Sequence, residues 1–162
     1  MQRNLCESTH MSDHVFKKQQ HLPIKINQAW EFFSDPKNLC RITPKSLDFK
    51  IVSKIPTKVY EGLEIEYRVR PILGIPTVWI SRIQDVKPPF QFVDVQLKGP
   101  YAYWHHHHLF EETAGGVLMT DTITYRVPFS NFFPWINDVI VKKQLGAIFD
   151  FRQRTLKTIF DM

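Results

Sequence analysis

The chain has 162 residues, of which 43% are hydrophobic and 23% charged, and this is typical of one globular domain with a substantial core. Its formal net charge is +5, but the basic residues are spread along the chain without any base-reading motif, so nucleic-acid binding is not expected. The two cysteines, Cys6 and Cys40, match neither a disulfide scaffold nor a paired zinc motif. This usage predicts a reducing, cytoplasmic location.

The N-terminal segment is polar and shows no hydrophobic period. We predict that residues 1–11 are disordered or dispensable and that residues 12–162 form the domain. The segment lacks the apolar centre of a signal peptide. No stretch approaches the roughly 18 apolar residues of a membrane span, so stable membrane insertion is not expected.

The predicted elements begin with an edge strand over residues 15–22, whose centre is polar. A short helix over residues 28–33 follows, with Asn27 as its N-cap. A second short helix over residues 36–42 has Asp35 at the cap and a proline at its first position. The chain therefore opens as one strand and two short helices.

From residue 47 onward the hydrophobic period changes to two, which predicts an antiparallel meander of short strands. These six strands cover residues 47–51, 63–69, 78–83, 90–97, 103–110 and 117–127. Between residues 132 and 160 the period returns to 3.6 and predicts a helix about 40 Å long, whose broad apolar stripe is interrupted by a few polar residues such as Gln144 and Arg152. A wide antiparallel sheet curls, and this helix is the element available to cover its concave face.

Four consecutive histidines lie in one predicted strand, after a Gly99-Pro100 turn. Because side chains alternate along a strand, His106 and His108 share a face, and His105 and His107 share the other. The first face also carries Trp104 and Phe110, and the second Tyr103 and Leu109. In a meander, the neighbouring strands add these residues to the first face: Asp94, Gln96, Met119, Asp121, Ile123 and Tyr125.

The element order resembles the helix-grip fold of the START-like (SRPBCC) superfamily, which includes Bet v 1-type allergens, lipid-transfer domains and polyketide cyclases. Several strings resemble a bacterial ligand-binding or cyclase-like subgroup of that superfamily: Ala29-Trp30-Glu31-Phe32-Phe33, Gly99-Pro100-Tyr101, Trp104-x-His106-x-His108-x-Phe110 and Met119-x-Asp121-x-Ile123-x-Tyr125. The resemblance covers about residues 12–160. It implies an α+β fold: a curved antiparallel sheet of about seven strands, two short helices after strand 1, and a long C-terminal helix across the concave face.

The resemblance also implies an interior cavity for a hydrophobic or amphipathic ligand, without an agreed substrate or catalytic residue. Some domains of this kind are fused to a nucleotide-sugar-epimerase-like domain, which this chain lacks. The function predicted is binding of a lipid-like or aromatic, polyketide-like molecule between sheet and helix. The predicted ligand-binding residues are Tyr67, Trp79, Asp94, Gln96, Trp104, His106, His108, Phe110, Asp121, Tyr125 and Phe149.

Three roles are open for the inner histidines. In the first, the histidines hydrogen-bond to aspartates and only stabilise the cavity wall. In the second, they bind the polar end of a ligand. In the third, a His–Asp pair acts as general acid and base. The catalytic candidates are His106, His108 and Asp121, and the enzyme would then be a cyclase or dehydratase. A protein-interaction module with a filled core is a further alternative. Ligand identity and oligomeric state are not specified by the sequence.

Neither a metal nor another cofactor is predicted. Two histidines at i and i+2 with a cross-strand aspartate match zinc or iron ligands, but the same spacing serves hydrogen bonding. The outer pair, His105 and His107, is expected to act as a weak surface chelator without biological meaning.

Overall fold

The computed structural model describes residues 13–71, 74–128 and 135–162. Strands β1 to β7 and helices α1 to α3 have the following bounds: β1 His14–Leu22, α1 Ile26–Phe33, α2 Pro36–Arg41, β2 Lys50–Ile51, β3 Glu64–Val69, β4 Thr77–Lys87, β5 Gln91–Lys98, β6 Tyr103–Thr113, β7 Gly116–Arg126 and α3 Lys142–Ile159. A 3₁₀ turn, Lys45–Leu47, precedes β2, and a π-helical turn, Asn137–Val141, precedes α3. The predicted N-terminal segment and the predicted first residues of the long helix lie outside the described residues.

The seven strands form one antiparallel sheet in the order β1-β7-β6-β5-β4-β3-β2. Strands β3 to β7 therefore pair with their neighbours in the chain, as a meander requires. The first strand returns to pair with the last one. This arrangement confirms the predicted α+β architecture with its short early helices and long C-terminal helix.

Helix α3 turns an apolar stripe toward the sheet, where Leu145, Phe149 and Leu156 are buried. The Phe149 ring lies 5.1 Å from the ring of Phe16 on β1 and 5.9 Å from that of His106 on β6. The helix thus packs across the inner face of the central strands. No helix among the described residues is long and apolar enough to cross a membrane.

Of the two helix N-caps predicted from the sequence, the cap of α2 is correct and the cap of α1 is not. The Asp35 carboxylate accepts a hydrogen bond from the Lys37 amide at 2.9 Å, so the predicted cap of α2 is confirmed. The predicted Asn27 cap of α1 is wrong, because the helix begins at Ile26. Ile26 is buried against the core, and the Gln28 side chain accepts from the Lys25 amide instead.

The predicted strand over residues 47–51 is reduced to the two residues of β2. Leu47 belongs to the 3₁₀ turn, and Asp48 follows it with a φ of 44°, in the left-handed region. This reversal directs the chain into the sheet only at Lys50. The predicted strand over residues 78–83 is longer in the structure, and it continues past a bulge at Asp85 to Lys87.

Candidate functional site

Strand β6 buries one face and leaves the other at the convex side of the sheet. Trp104, His106, His108 and Phe110 are buried, whereas His105 and His107 are half-buried. His106 pairs with Asp94 on β5, and His108 pairs with Asp121 on β7. The register predicted from the meander is therefore observed.

The two inner histidines lie between two carboxylates, and we call these four residues the His–Asp cluster. Nε2 of His106 is 2.8 Å from Oδ1 of Asp121, and Nε2 of His108 is 3.2 Å from Oδ2 of Asp94. The Nδ1 atoms approach the opposite carboxylates, at 3.3 Å from Asp94 and 2.8 Å from Asp121. Each imidazole thus has a carboxylate on both sides.

This arrangement favours charge within the cluster. An ionised carboxylate only accepts hydrogen bonds, so an imidazole between two carboxylates is fully matched only when it carries both protons. Burial alone would lower the pKa of His106, but its hydrogen bonds to Asp121 and Asp94 outweigh burial and raise the pKa. Burial would raise the pKa of both aspartates, and the hydrogen bonds from the histidines instead hold each pKa below its usual value.

Further polar groups hold Asp94 in place from the other side. The indole Nε1 of Trp104 donates to Oδ1 of Asp94 at 3.3 Å, and the Ser81 hydroxyl donates to the same oxygen at 3.4 Å. Ser81 in turn accepts from Nε1 of Trp79 at 3.1 Å. The buried Trp104 and the half-buried Trp79 therefore both have partners for their indole nitrogens, and the Asp94 carboxylate is held against the inner face of the sheet.

Arg152 brings a fifth charged group to the cluster from α3. Its Nη1 lies 3.9 Å from Oδ1 of Asp121, and its Cζ lies 4.6 Å from the centroid of the Phe149 ring. The side chain is only 7% exposed, and its Nε has no hydrogen-bond partner. Sequence reasoning placed Arg152 on the apolar stripe of the long helix but did not count it as a site residue. A charged residue in phase with an apolar stripe is a signal that could have identified Arg152 as a candidate site residue.

A cavity of about 180 Å³ lies between the inner face of the sheet, α3 and the two short helices. Most of its wall is apolar or aromatic. Of the predicted ligand-binding residues, these line it: Tyr67, Trp79, Asp94, Trp104, His106, His108 and Phe149. The wall is polar where the cluster and Arg152 meet it, and Asp35, Asn38 and Thr43 add polar groups at and after α2.

Four predicted ligand-binding residues do not line the cavity. Phe110 is fully buried against the rings of Trp30 and Phe33. Gln96 folds back, where its amide donates to the Tyr101 carbonyl at 2.7 Å. The remaining two, Asp121 and Tyr125, are each within a few per cent of full burial.

Asp121 and Tyr125 have structural partners instead. Asp121 does not line the cavity and contacts three residues that do: His106, His108 and Arg152. The Tyr125 hydroxyl donates to Oδ1 of Asn137 at 2.7 Å and ties β7 to the turn before α3. Burial raises the pKa of Tyr125 to about 12, so its hydroxyl stays a donor at neutral pH.

Sequence reasoning missed the part of the wall that the short helices and the following loop supply. This part includes Phe33, Leu39, Ile42, Phe49 and Val59. Each is an apolar residue of a kind that any core contains. No local pattern separates a side chain that lines a cavity from one that fills a core, so the sequence carried no signal for them.

The cluster also contains a set of atoms that a metal ion accepts as ligands. Asp94, His106 and His108 each offer one ligand atom, and these atoms lie within 4.8 Å of one another. Two imidazoles and a carboxylate are a donor set suited to zinc or iron. Both histidines already have carboxylate partners without an ion, and the absence of a metal stays a prediction.

Comparison with known proteins identifies the fold. No protein-family model and no curated protein sequence matches the chain. Among solved structures, protein CV1439 from Chromobacterium violaceum is 10% identical with a TM-score of 0.68, over 91% of this chain and 97% of that one. Ara h 8.0201, which has a Bet v 1-like fold, is 13% identical with a TM-score of 0.61, over 91% and 99% of the two chains. The helix-grip prediction is therefore confirmed at the level of fold.

A third similar structure is much longer than this chain. The nucleoside-diphosphate sugar epimerase from Corynebacterium glutamicum is 20% identical with a TM-score of 0.62, over 87% of this chain and 28% of that protein. The match thus involves about a quarter of the epimerase. At such identities the likeness concerns the fold alone.

Proposed function

We propose that this chain binds a hydrophobic or amphipathic small molecule in the cavity between the sheet and α3, and that the His–Asp cluster fixes the polar end of that molecule. The single observation that carries the proposal is the composition of the cavity wall. It is apolar over most of its extent, and its polar groups include Asp94, His106 and His108 of the cluster together with Arg152. Small-molecule sites commonly combine an apolar lining with a few placed polar groups that set orientation.

The size of the cavity supports a ligand site over a filled core. A volume of 180 Å³ is far larger than the roughly 10–15 Å³ that one water needs. A binding role explains why the space is kept, which an interaction module with a filled core does not.

The alternative of a cyclase or dehydratase rests on the buried His106–Asp121 pair. A general base needs a free nitrogen that faces the substrate, and both nitrogens of His106 face carboxylates. Its raised pKa makes the ring a proton donor instead. This leaves acid catalysis as the chemistry that the alternative requires, and an N–H of His106 would have to leave its carboxylate in order to act.

Native mass spectrometry of the purified protein tests the proposal. We expect a mass excess that disappears on denaturation, together with a hydrophobic compound in the organic extract. Ile148→Trp fills the cavity from α3 and should abolish the mass excess, whereas Ala147→Trp, at an exposed position of the same helix, should not. An excess that is unchanged in Ile148→Trp would contradict a site in this cavity.

A further inference from the structure

We infer that the ligand of the cavity carries a carboxylate group and that Arg152 binds it. The inference rests on the proposed function and names the class of molecule bound. Among the described residues that line the cavity, Arg152 is a buried cation whose nearest carboxylate oxygen lies 3.9 Å away, beyond hydrogen-bond distance. Arg152 lies on the third turn of α3, directly over the Phe149 ring.

The guanidinium of Arg152 is buried without matching hydrogen bonds. Arg152 is only 7% exposed, its Nε has no hydrogen-bond partner, and the nearest carboxylate oxygen among the described residues is 3.9 Å away. Burial of a charge is costly unless it is paired and hydrogen-bonded. A ligand anion that enters the cavity would provide the missing acceptors.

The two carboxylates nearby are already engaged. Oδ1 of Asp121 has an imidazole nitrogen of each inner histidine at 2.8 Å, closer than Arg152. Asp94 has its own two imidazole contacts, at 3.3 and 3.2 Å. All four imidazole nitrogens of the cluster therefore face a carboxylate oxygen, whereas Oδ2 of Asp121 is buried without a hydrogen-bond partner. The guanidinium of Arg152 comes no closer than 3.9 Å to the other Asp121 oxygen.

The cavity wall favours one anionic group on an otherwise apolar molecule. Among the described residues that line the cavity, Arg152 is the only arginine and there is no lysine. A guanidinium fork matches a carboxylate with two parallel hydrogen bonds and one charge. The second charge of a phosphate monoester would have no cation of its own on this wall. A carboxylic acid with an apolar tail fits these conditions.

Calorimetric titration of delipidated protein with three matched probes tests the inference. The probes are decanoate, decan-1-ol and decyl phosphate, which share one ten-carbon chain. Because a charge-assisted pair exceeds a neutral hydrogen bond, wild-type protein should bind decanoate at least about tenfold more tightly than decan-1-ol. Decyl phosphate should bind no better than decanoate.

Substitution of the arginine should remove the preference and keep the cavity. Arg152→Met should bind decan-1-ol within about twofold of wild type and lose the preference for decanoate, and Arg152→Lys should keep part of it. Arg154→Met, at an exposed position of the same helix, is the matched control and should behave as wild type. If Arg152→Met does not fold, the probe affinities of wild-type protein and of Arg152→Lys still test the inference.

The outcomes separate this inference from the proposed function. Equal wild-type affinity for decan-1-ol and decanoate, or a preference that survives in Arg152→Met, would overturn the role of Arg152 and leave ligand binding intact. The arginine would then serve to neutralise Asp121. Tighter binding of decyl phosphate would overturn the carboxylate class. Binding of none of the probes by wild-type protein would count against the proposed function itself.

Discussion

The inner and outer histidines of β6 are the same residue type one position apart, and their surroundings give them opposite behaviour. His106 is buried between two carboxylates, and those hydrogen bonds raise its pKa. His107 is half-buried on the convex face, its Nε2 has no hydrogen-bond partner, and burial together with His108 and His105 lowers its pKa. Strand alternation places His106 and His108, and not His105 and His107, on the face that carries Asp94 and Asp121. Four adjacent histidines are therefore two pairs with different chemistry.

The largest expected effect comes from removing the carboxylate that the inner pair shares. Asp121→Ala leaves two buried imidazoles and Arg152 without their common partner, so we expect a loss of about 3–5 kcal/mol in the free energy of unfolding. Urea denaturation measures it. Asp150→Ala on α3 is the control, because its exposed ion pair with Lys18 should contribute at most about 1 kcal/mol. A loss in Asp121→Ala as small as in the control would contradict the shared role.

The second prediction is that the two faces respond to pH with opposite sign. The folded-state pKa of His106 is raised, so its stabilising contribution is complete below pH 6.5 and is lost as the pH rises through the folded pKa. The pKa of His107 is lowered, so its cost appears as the pH falls below 6.5. The aspartates have lowered pKa values, and their contribution is present above pH 3.8.

Urea denaturation at intervals from pH 5 to pH 9 measures this difference. His106→Gln should flatten the decline of stability on the alkaline side, and His107→Gln should improve stability on the acid side. The His107 effect should be the smaller one, because that ring is partly solvated. Identical pH profiles for the two variants would show that the faces are not distinct in charge.

A smaller effect concerns retention on a nickel column. The outer histidines lie at i and i+2 on the convex face, so untagged protein should be weakly retained. His105→Gln combined with His107→Gln should abolish retention, and His106→Gln combined with His108→Gln should not. The concentration of imidazole needed for elution measures this. Loss of retention only in the inner double variant would place the metal-binding pair on the wrong face.

The last prediction is that the purified protein contains no stoichiometric metal. Because the inner histidines already have carboxylate partners, untagged protein purified without nickel should contain far less than one zinc or iron per chain by elemental analysis. Treatment with EDTA should leave the melting temperature unchanged. Stoichiometric metal would reassign Asp94, His106 and His108 as a metal centre.

The order of elements and the inner face of β6 could be predicted because both follow from local rules. Alternation identifies the strands, and in a meander the neighbours in sequence are the neighbours in space. That is why Asp94 and Asp121 could be assigned to the same face as His106 and His108. Each imidazole contacts both carboxylates only because of the side-chain rotamers, and the hydrophobic period of the sequence does not determine rotamers.

The rest of the site depends on contacts between elements far apart in the chain. Which side of α3 meets the sheet is set by packing, so Arg152 could be placed on the buried stripe but not beside Asp121. Gln96 has the phase of an inner residue, yet its side chain is used by the turn at Tyr101. Leu39 and Phe49 reach the cavity only through the path of the loops around the short helices.

The central claim is that a ligand in the cavity meets the inner histidines and not the outer ones. Long-range ¹H–¹⁵N NMR of the imidazole nitrogens, recorded while decan-1-ol is added, tests it most directly. The account predicts that the signals of His106 and His108 shift with saturation while those of His105 and His107 stay in place. Saturable binding without any shift of the inner pair, or with shifts confined to the outer pair, would contradict it.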